Sequence, residues 1–366
     1  DFMDLKFRGS WGRLGNQNIR SYYAASDQMS GSEFYSFGGS NVPGRGITVL
    51  ADPDTKWETT EQTNIGFDLK LFNQFTATID YFNKKTFDIL ARVTVPTSLG
   101  IEEQPYQNIG EMTNKGIDID LGYRGKHKGD GINYSVNLNF SYLENEVTSL
   151  GGLDFVEHSE TLRSQVGQPF SSFFGYKVDA IYQISDFTWQ NNSDPSIDHY
   201  DRNYQLAAGT PDPSGILPRV RPGDLKFKDV DGNGIIDPED KTIIGSSVPN
   251  FYYGGTLNLS YKNWGLNIIG QGVGGAQAYQ SGRLLKFLFS GSNSSLIRSE
   301  VDNRWTFENQ STTHRSVTKS LERDQLESDY YVHNASYFRV RNIELSYNID
   351  ADILKKLKIA KLRLFI

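Results

Sequence analysis

The stretch from Asn64 to Tyr81 constrains the fold most, because two runs of period-two alternation meet there across a very short break. Ile65, Phe67, Leu69 and Leu71 alternate with Gly66, Asp68 and Lys70. After Phe72, Asn73 and Gln74, Phe75, Ala77, Ile79 and Tyr81 take one face and Thr76, Thr78 and Asp80 the other. Alternation of this length is a strand signal, and the short Asn-containing break makes it a hairpin. The pattern recurs at Ile117, Ile119, Leu121 and Tyr123 and, after a Lys/Gly/Asp turn, at Tyr134, Val136, Leu138, Phe140 and Tyr142.

Composition agrees with an all-β chain. Aromatics make up 13% of the 366 residues, and 20 Tyr and 22 Phe far outnumber 3 Met. The 35 glycines supply turns. Mean hydropathy is -0.50, and no apolar run approaches the ~20 residues of a spanning helix. That excludes an α-helical membrane protein but not a membrane barrel, whose strands need only ~10 residues with every second one facing lipid. With no Cys, disulfides and thiolate metal sites are excluded. A net charge of -7 argues against nucleic acid as a partner.

Taken in order, a first strand is expected around Leu5, Phe7 and Trp11, then an irregular Gly/Ser/Asn/Tyr-rich segment from Arg13 to about Asp54. After the Asn64–Tyr81 hairpin, a second irregular segment runs from about Ile89 to Thr113. The region 147–249 is the longest departure from alternation, with a short extended piece at Tyr176, Val178 and Ala180. Pairing resumes from Tyr253 to Tyr261 and from Trp264 to Val273. A fourth long loop, Gly274 to Ala335, precedes a strand from Tyr337 to Ile349. Asp350 to Lys358 reads as a helical turn, and Lys361 to Ile366 begins another strand.

Long and short connections thus alternate, which places all long loops at one end of an up-and-down sheet. Outer-membrane barrels have this asymmetry, with short periplasmic turns and long extracellular loops. About nine strands are expected. Nine strands in an open sheet leave two edges that lipid does not tolerate, so the chain reads as part of a longer barrel, with residues 1–366 in one barrel domain. Trp57, Tyr81, Tyr123, Tyr142, Tyr261, Trp264 and Tyr347 fit aromatic girdles at the two interfaces. Pattern alone leaves a second architecture open, in which the same aromatics pack a soluble β core.

One motif carries chemistry. Asp229 to Asp240 reads DVDGNGIIDPED. Asp229, Asp231, Asn233, Ile235 (through its carbonyl), Asp237 and Asp240 occupy the ligand positions of a twelve-residue calcium loop, with Gly234 at the sharp turn. Hard calcium takes oxygen ligands, and this spacing aims them at one centre. Asp240 replaces the usual bidentate Glu. Extended flanks and Pro238 within the loop exclude a helix-loop-helix setting, so the expected role is a structural calcium staple in the long loop. Asp/Asn/Gly clusters are also common as solvated turns.

Other constellations fail. His127, His158, His199, His314 and His333 have no paired zinc spacing. Asp118 with Asp120, and Glu102 with Glu103, read as carboxylates facing a watery lumen rather than a glycosidase pair. Neither a Walker loop nor a G-x-S-x-G elbow is present, so no enzyme is expected. Tyr22, Tyr23, Tyr35, Phe37, Tyr106, Phe173, Phe174, Trp189 and Tyr200 are loop aromatics that either meet a ligand or pin their own loops.

The run from Pro222 to Gly275, PGDLKFKDVDGNGIIDPEDKTIIGSSVPNFYYGGTLNLSYKNWGLNIIGQGVGG, resembles a hallmark stretch of SusC/RagA-type TonB-dependent transporters of the Bacteroidetes outer membrane. LKFRGSWGRLGNQNI at Leu5, WETTEQTNIGFDL at Trp57, IDYFNKKTFDIL at Ile79, NIGEMTNKGIDIDL at Asn108 and YFRVRNIELSYNI at Tyr337 extend the resemblance in the family's order. It implies a barrel of about 22 strands, of which this is a C-proximal portion, the plug lying outside these residues. It further implies TonB-dependent import of an oligosaccharide or peptide under a SusD-like surface lipoprotein, TonB acting through segments absent here, in the outer membrane of a Gram-negative bacterium. A barrel-borne receptor or adhesin without transport, and a secreted calcium-stapled carbohydrate-binding β-protein, are the competing functions.

Overall fold

The computed structural model describes residues 2–16, 26–92, 98, 105–125, 131–189, 204–217, 219–280, 298–316, 326–349 and 358–366. In chain order the strands are β1 (Met3–Asn16), β2 (Gln28–Phe37), β3 (Ser40–Val49), β4 (Glu58–Leu71), β5 (Phe75–Arg92), β6 (Tyr106–Gly125) and β7 (Asn133–Leu150). Short strands follow: β8 (Phe155–Ser159), β9 (Leu162–Gln165), β10 (Ser172–Gly175), β11 (Val178–Ile181), β12 (Phe187–Trp189), β13 (Tyr204–Leu206), β14 (Leu225–Phe227) and β15 (Thr242–Gly245). The series ends with β16 (Phe251–Tyr261), β17 (Trp264–Gly274), β18 (Gln277–Tyr279), a helical turn α1 (Arg298–Asn303), β19 (Val332–Asn334), β20 (Tyr337–Asn348) and β21 (Arg363–Phe365).

Nine strands form one antiparallel up-and-down sheet in the order β1-β4-β5-β6-β7-β16-β17-β20-β21. Its register explains the alternation. Phe7, Phe67, Ile79, Ile119, Phe140, Tyr253, Gly272 and Phe338 are successive cross-strand partners on one face. Arg8, Gly66, Asp80, Asp118, Ser141 and Tyr252 form the adjacent row on the other. The apolar face is bare, Phe7 at 76% and Ile343 at 62% exposure. A broad bare apolar face opposite a polar one is the surface of a transmembrane barrel wall, lipid outside and water in the lumen. Among the described residues no helix is long and apolar enough to cross a membrane.

The apolar band has two edges. Toward the short turns it ends in aromatics, with Tyr123 against Tyr134 at 5.7 Å and Trp264 against Tyr347 at 4.8 Å. Toward the long loops it ends near Tyr81, Tyr142 and Phe251, the last two rings 5.2 Å apart. Above that line the outward positions become charged, and Lys115–Glu144 and Lys85–Glu111 pair at 3.2 and 3.5 Å. Trp57 departs from the girdle expected for it. It precedes β4 eight positions before Ile65, so at about 3.3 Å per residue it stands well above the band.

Glycines open the sheet at close crossings. A Cβ on Gly272 would lie 2.5 Å or less from the Tyr253 ring, and one on Gly116 would stand 2.7 Å from Phe82 Cζ. In both cases an aromatic covers a side-chain-less position, a device that holds register. At the β4–β5 turn Phe72 and Asn73 both have φ 53°. A bulky residue there is uncommon; Phe72 is held by an edge contact with Phe2 at 4.4 Å.

The structure corrects several sequence expectations. The segment 13–54, expected to be irregular, contains the end of β1 and the β2–β3 hairpin. Within Ile89 to Thr113, Ile89–Arg92 and Tyr106–Thr113 are strand, because β5 and β6, 18 and 20 residues long, rise far beyond the apolar band. Alternation fails to reveal these extensions because neither face meets lipid there. For the same reason β7 continues to Leu150, so the long loop begins after it, not at 147. The helical turn expected from Asp350 lies outside the described residues except for Lys358. An arginine at outward-facing Ile119 should cost about 2–4 kcal/mol, and one at lumen-facing Thr256 less than about 0.5 kcal/mol, measured by urea unfolding of the full-length protein in lipid vesicles.

Candidate functional site

The loops after β7 and after β17 fold together at the long-loop end. Tyr176, Ile181, Leu217, Leu225, Phe227 and Ile236 from the first pack with Trp305 from the second, Ile236 and Trp305 both at 0% exposure. Backbone bonds stitch the two: Tyr176 N–H donates to Glu327 O at 2.8 Å, Asp329 N–H to Tyr176 O at 3.1 Å and Ser316 N–H to Gly223 O at 2.6 Å. Trp305 Nε1 donates to Gln183 Oε1 at 3.1 Å. Sequence reading missed this core because its residues are separated by polar turns and come from two loops, which no local periodicity reports.

The module is anchored to the barrel wall on its lumen side. Asn145 and Val147 of β7 belong to the inward row with Asn114 and Met112 of β6. Phe170 N–H donates to Asn145 Oδ1 at 2.7 Å, and Val147 exchanges backbone bonds with Gln168 and Gly167 at 2.9 Å each. The first loop therefore leans over the mouth of the lumen. Phe173 and Phe174 are buried within it, Phe174 beneath the Arg163 guanidinium at 3.4 Å, so these two aromatics pin their own loop. Tyr35 and Phe37, by contrast, are exposed together on β2 with rings 5.4 Å apart. Trp189 lies in β12 and Tyr106 in β6, while Tyr22, Tyr23 and Tyr200 lie outside the described residues.

The acidic loop is built into this module. Ile236 carries its backbone into the core, and Asp212 brackets it, Asp212 N–H donating to Gly234 O at 3.0 Å and Ile236 N–H to Asp212 O at 2.8 Å. Asp229, Asp231 and Asp240 each present a carboxylate oxygen within 4.8 Å of the others. Backbone donors hold these like charges together. Asp229 accepts from Gly232 N–H at 2.6 Å and Gly234 N–H at 2.8 Å, which needs φ 77° and 85° at the two glycines. Asp240, fully buried, accepts from Val230 N–H at 2.6 Å and Asp237 N–H at 3.0 Å.

Of the six expected ligands the structure brings three carboxylates into one grouping. Asn233 adjoins them, its Nδ2 donating to Asp231 Oδ2 at 2.9 Å. Ile235 contributes backbone to the bridge with Asp212. Asp237 is turned to another task, capping the short 3-10 turn Pro238–Asp240 by accepting from Glu239 N–H at 3.0 Å. The flanks are extended, with β14 before the loop, so the helices of an EF-hand are absent there as expected. The donors are all oxygen and one is fully buried, a set that fits a hard divalent cation.

The electrostatics agree. The backbone N–H groups of Gly234 and then Gly232 hold the Asp229 carboxyl below the ordinary carboxylate range. Burial first, and then the charges of Asp237 and Asp240, push the Tyr176 hydroxyl up to about 12, so Tyr176 joins core and loop as a neutral group. Among the described histidines, His158 bonds Ser164 Oγ at 2.7 Å, His314 bonds Thr313 Oγ1 at 2.9 Å and His333 lies in β19; none joins the grouping of Asp229, Asp231 and Asp240. His127, His199, Glu102 and Glu103 lie outside the described residues. Asp118 and Asp120 face the lumen, as expected of watery-lumen carboxylates.

Comparison with known proteins matches residues 3–366 to the family described as TonB dependent receptor-like, beta-barrel. The chain belongs to this family. It is 30% identical over 99% of its length to TonB-dependent receptor P3 of Formosa agariphila, covering 34% of that protein. It is 26% identical over 95% of its length to the TonB-dependent receptor SusC of Bacteroides thetaiotaomicron, covering 32%. The chain thus spans about a third of the length of these relatives. In fold it matches the RagAB peptide transporter with a TM-score of 0.70 at 21% identity, over 99% of this chain and 37% of that one. This membership decides between the two architectures that alternation leaves open, for the barrel.

If the module is one cooperative unit, Trp305→Ala should open both loops at once. A loss of about 3–5 kcal/mol is expected locally, seen in limited proteolysis as cleavage between β7 and β16 and between β17 and β20 while the barrel wall stays intact.

Proposed function

We propose that the protein containing this chain imports a bulky nutrient, an oligosaccharide or peptide, across the outer membrane of a Bacteroidetes-type Gram-negative bacterium. Import is driven by TonB through segments outside residues 1–366 and assisted by a SusD-like surface lipoprotein. The observation that carries the reading is the barrel wall itself. Its inward face is mostly polar, rich in Asp, Asn, Ser and Thr with Phe82 and Tyr252 among them, and a folded module stands at its long-loop end. Family membership supports it, and so do the relatives SusC and RagAB, the latter a peptide transporter by its description. Deleting the gene should abolish growth on one complex glycan or peptide source, deletion of TonB should do the same, and a surface lipoprotein should co-purify in mild detergent. Growth unaffected by loss of TonB would contradict the reading.

The acidic loop is proposed as a structural calcium site, held by Asp229, Asp231, Asp240 and the oxygens of Asn233 and Ile235, with Asp237 contributing at most through water. Calcium would fasten the first loop to the module core through Ile236. The pH dependence follows from Asp229. A carboxyl whose folded pKa is depressed contributes stability that is present above its unfolded value and lost as pH falls through the lower folded one. Calcium affinity should therefore hold from pH 8 to about pH 5 and fall only below about pH 4. Terbium luminescence on the full-length protein measures this, and Asp231→Ala should lower affinity by at least about tenfold. An unchanged titration would contradict the site.

A further inference from the structure

Above the apolar band the two faces of the wall differ in charge. Two outward rows cross β1, β4, β5, β6 and β7 just above Ile65, Tyr81, Ile117 and Tyr142. Six of their ten positions carry a full charge: Lys115 and Glu144 in the first row, Arg13, Glu61, Lys85 and Glu146 in the second. The two inward rows at the same level run from Ser10 to Leu143 and from Gly12 to Asn145. They hold amides, a hydroxyl, glycines and two apolar residues, with Lys84 the one charge. Water alone on both faces would give full charges no reason to gather on the outer one.

Pairing does not explain the gathering either. Arg13 meets Glu61 at 3.1 Å, Lys115 meets Glu144 at 3.2 Å, and Lys85 meets Glu111, one outward position higher on β6, at 3.5 Å. Exposed pairs of this kind contribute little to stability. All three cations stay about half-exposed while paired, and an ammonium has three donors to share. The Arg13 guanidinium is held on the wall over the Phe87 ring at 5.4 Å. Trp11 Nε1 donates to Glu61 Oε1 at 2.8 Å, which sets an indole at the height where such rings meet lipid headgroups.

The two rows balance, three cations against three carboxylates. Lipid phosphates alone would select cations alone. Phosphates bridged by divalent cations present both signs, because an ammonium can replace a metal ion on a phosphate and a carboxylate can share a metal ion with one. We infer that this belt docks the phosphorylated headgroups of outer-leaflet glycolipid, with Lys85 and Lys115 on phosphate and Glu144 and Glu146 on the bridging divalent cations. The belt continues the lipid-facing band upward from hydrocarbon into the headgroup layer. Lys85 and Lys115 stand on β5 and β6, each paired along both edges, so the outer face is complete around them. The inference rests on the wall's orientation in the outer membrane and is independent of the cargo.

The test reconstitutes the full-length protein with magnesium in mixed vesicles of phosphatidylcholine and diphosphoryl lipid A, extracts it in mild detergent and counts the lipids it carries by native mass spectrometry. Vesicles with dephosphorylated lipid A are the control. The protein should carry diphosphoryl lipid A in preference to both other lipids. Lys85→Gln together with Lys115→Gln should lower that enrichment about tenfold, and Lys85→Arg with Lys115→Arg should hold it within about threefold. Lys84→Gln, on the inward face between them in level, should leave it unchanged. Removing magnesium with EDTA should lower the enrichment of the unaltered protein, a second measure should the double Gln variant fail to assemble. Equal retention of phosphorylated and dephosphorylated lipid, no response to EDTA, an unchanged double Gln variant, or an equal loss in Lys84→Gln overturns the docking surface.

Discussion

The structure depends on strand register. From β1 to β20 one row of cross-strand partners puts Phe7, Phe67, Ile79, Ile119, Phe140 and Tyr253 outward, and the next row puts Arg8, Asp80, Asp118 and Ser141 inward. Side chains repeat every two residues, so a slip of one position would bury the charges in lipid and turn the aromatics into water. Each strand crosses with only about nine residues, Tyr134 to Tyr142 on β7 for example, which suffices at barrel tilt. Aromatics laid over Gly116 and Gly272 fix that register locally, and the left-handed pair Phe72–Asn73 fixes it at a turn.

Above the membrane a different constraint operates. β5, β6 and β7 continue for several turns of the pleat beyond the apolar band, and their outward positions exchange lipid contact for ion pairs of the Lys115–Glu144 kind. Exposed pairs of this sort contribute little each, so the extensions draw their order from the ladder and from what docks on them. That role falls to the two-loop module. Val147 and Asn145 receive its first loop, Trp305 and Glu327 bring in the second, and Asp229 to Asp240 close it through Ile236. Wall, roof and acidic loop form one mechanical chain from the lipid edge to the mouth of the lumen.

Where a residue faces a sharp change of solvent, the sequence states its position. Ile65 to Leu71, Ile117 to Tyr123 and Tyr134 to Tyr142 are readable because lipid and water differ so much that alternation is enforced. Thr86 to Arg92 and Tyr106 to Thr113 are strands too, yet both faces meet water or protein and the period fades. The grouping of Asp229, Asp231 and Asp240 was legible because it is built within twelve consecutive residues, although only folding shows that Asp237 caps a turn while Asp240 is buried. Trp305 in the core and Phe82 over Gly116 depend on partners far away in the chain. Their roles needed three dimensions.

The central claim is the two-sided wall, and site-directed spin labelling tests it most directly. The 366 residues contain no Cys, so once any cysteine elsewhere in the full-length protein is replaced by Ser, positions 136 to 142 can each be replaced by Cys, labelled and reconstituted. The account predicts that collision with lipid-soluble oxygen peaks at Val136, Leu138, Phe140 and Tyr142 and that collision with a water-soluble nickel chelate peaks at Asn137, Asn139 and Ser141. Accessibilities without that two-residue alternation, or with the phases exchanged, would contradict it.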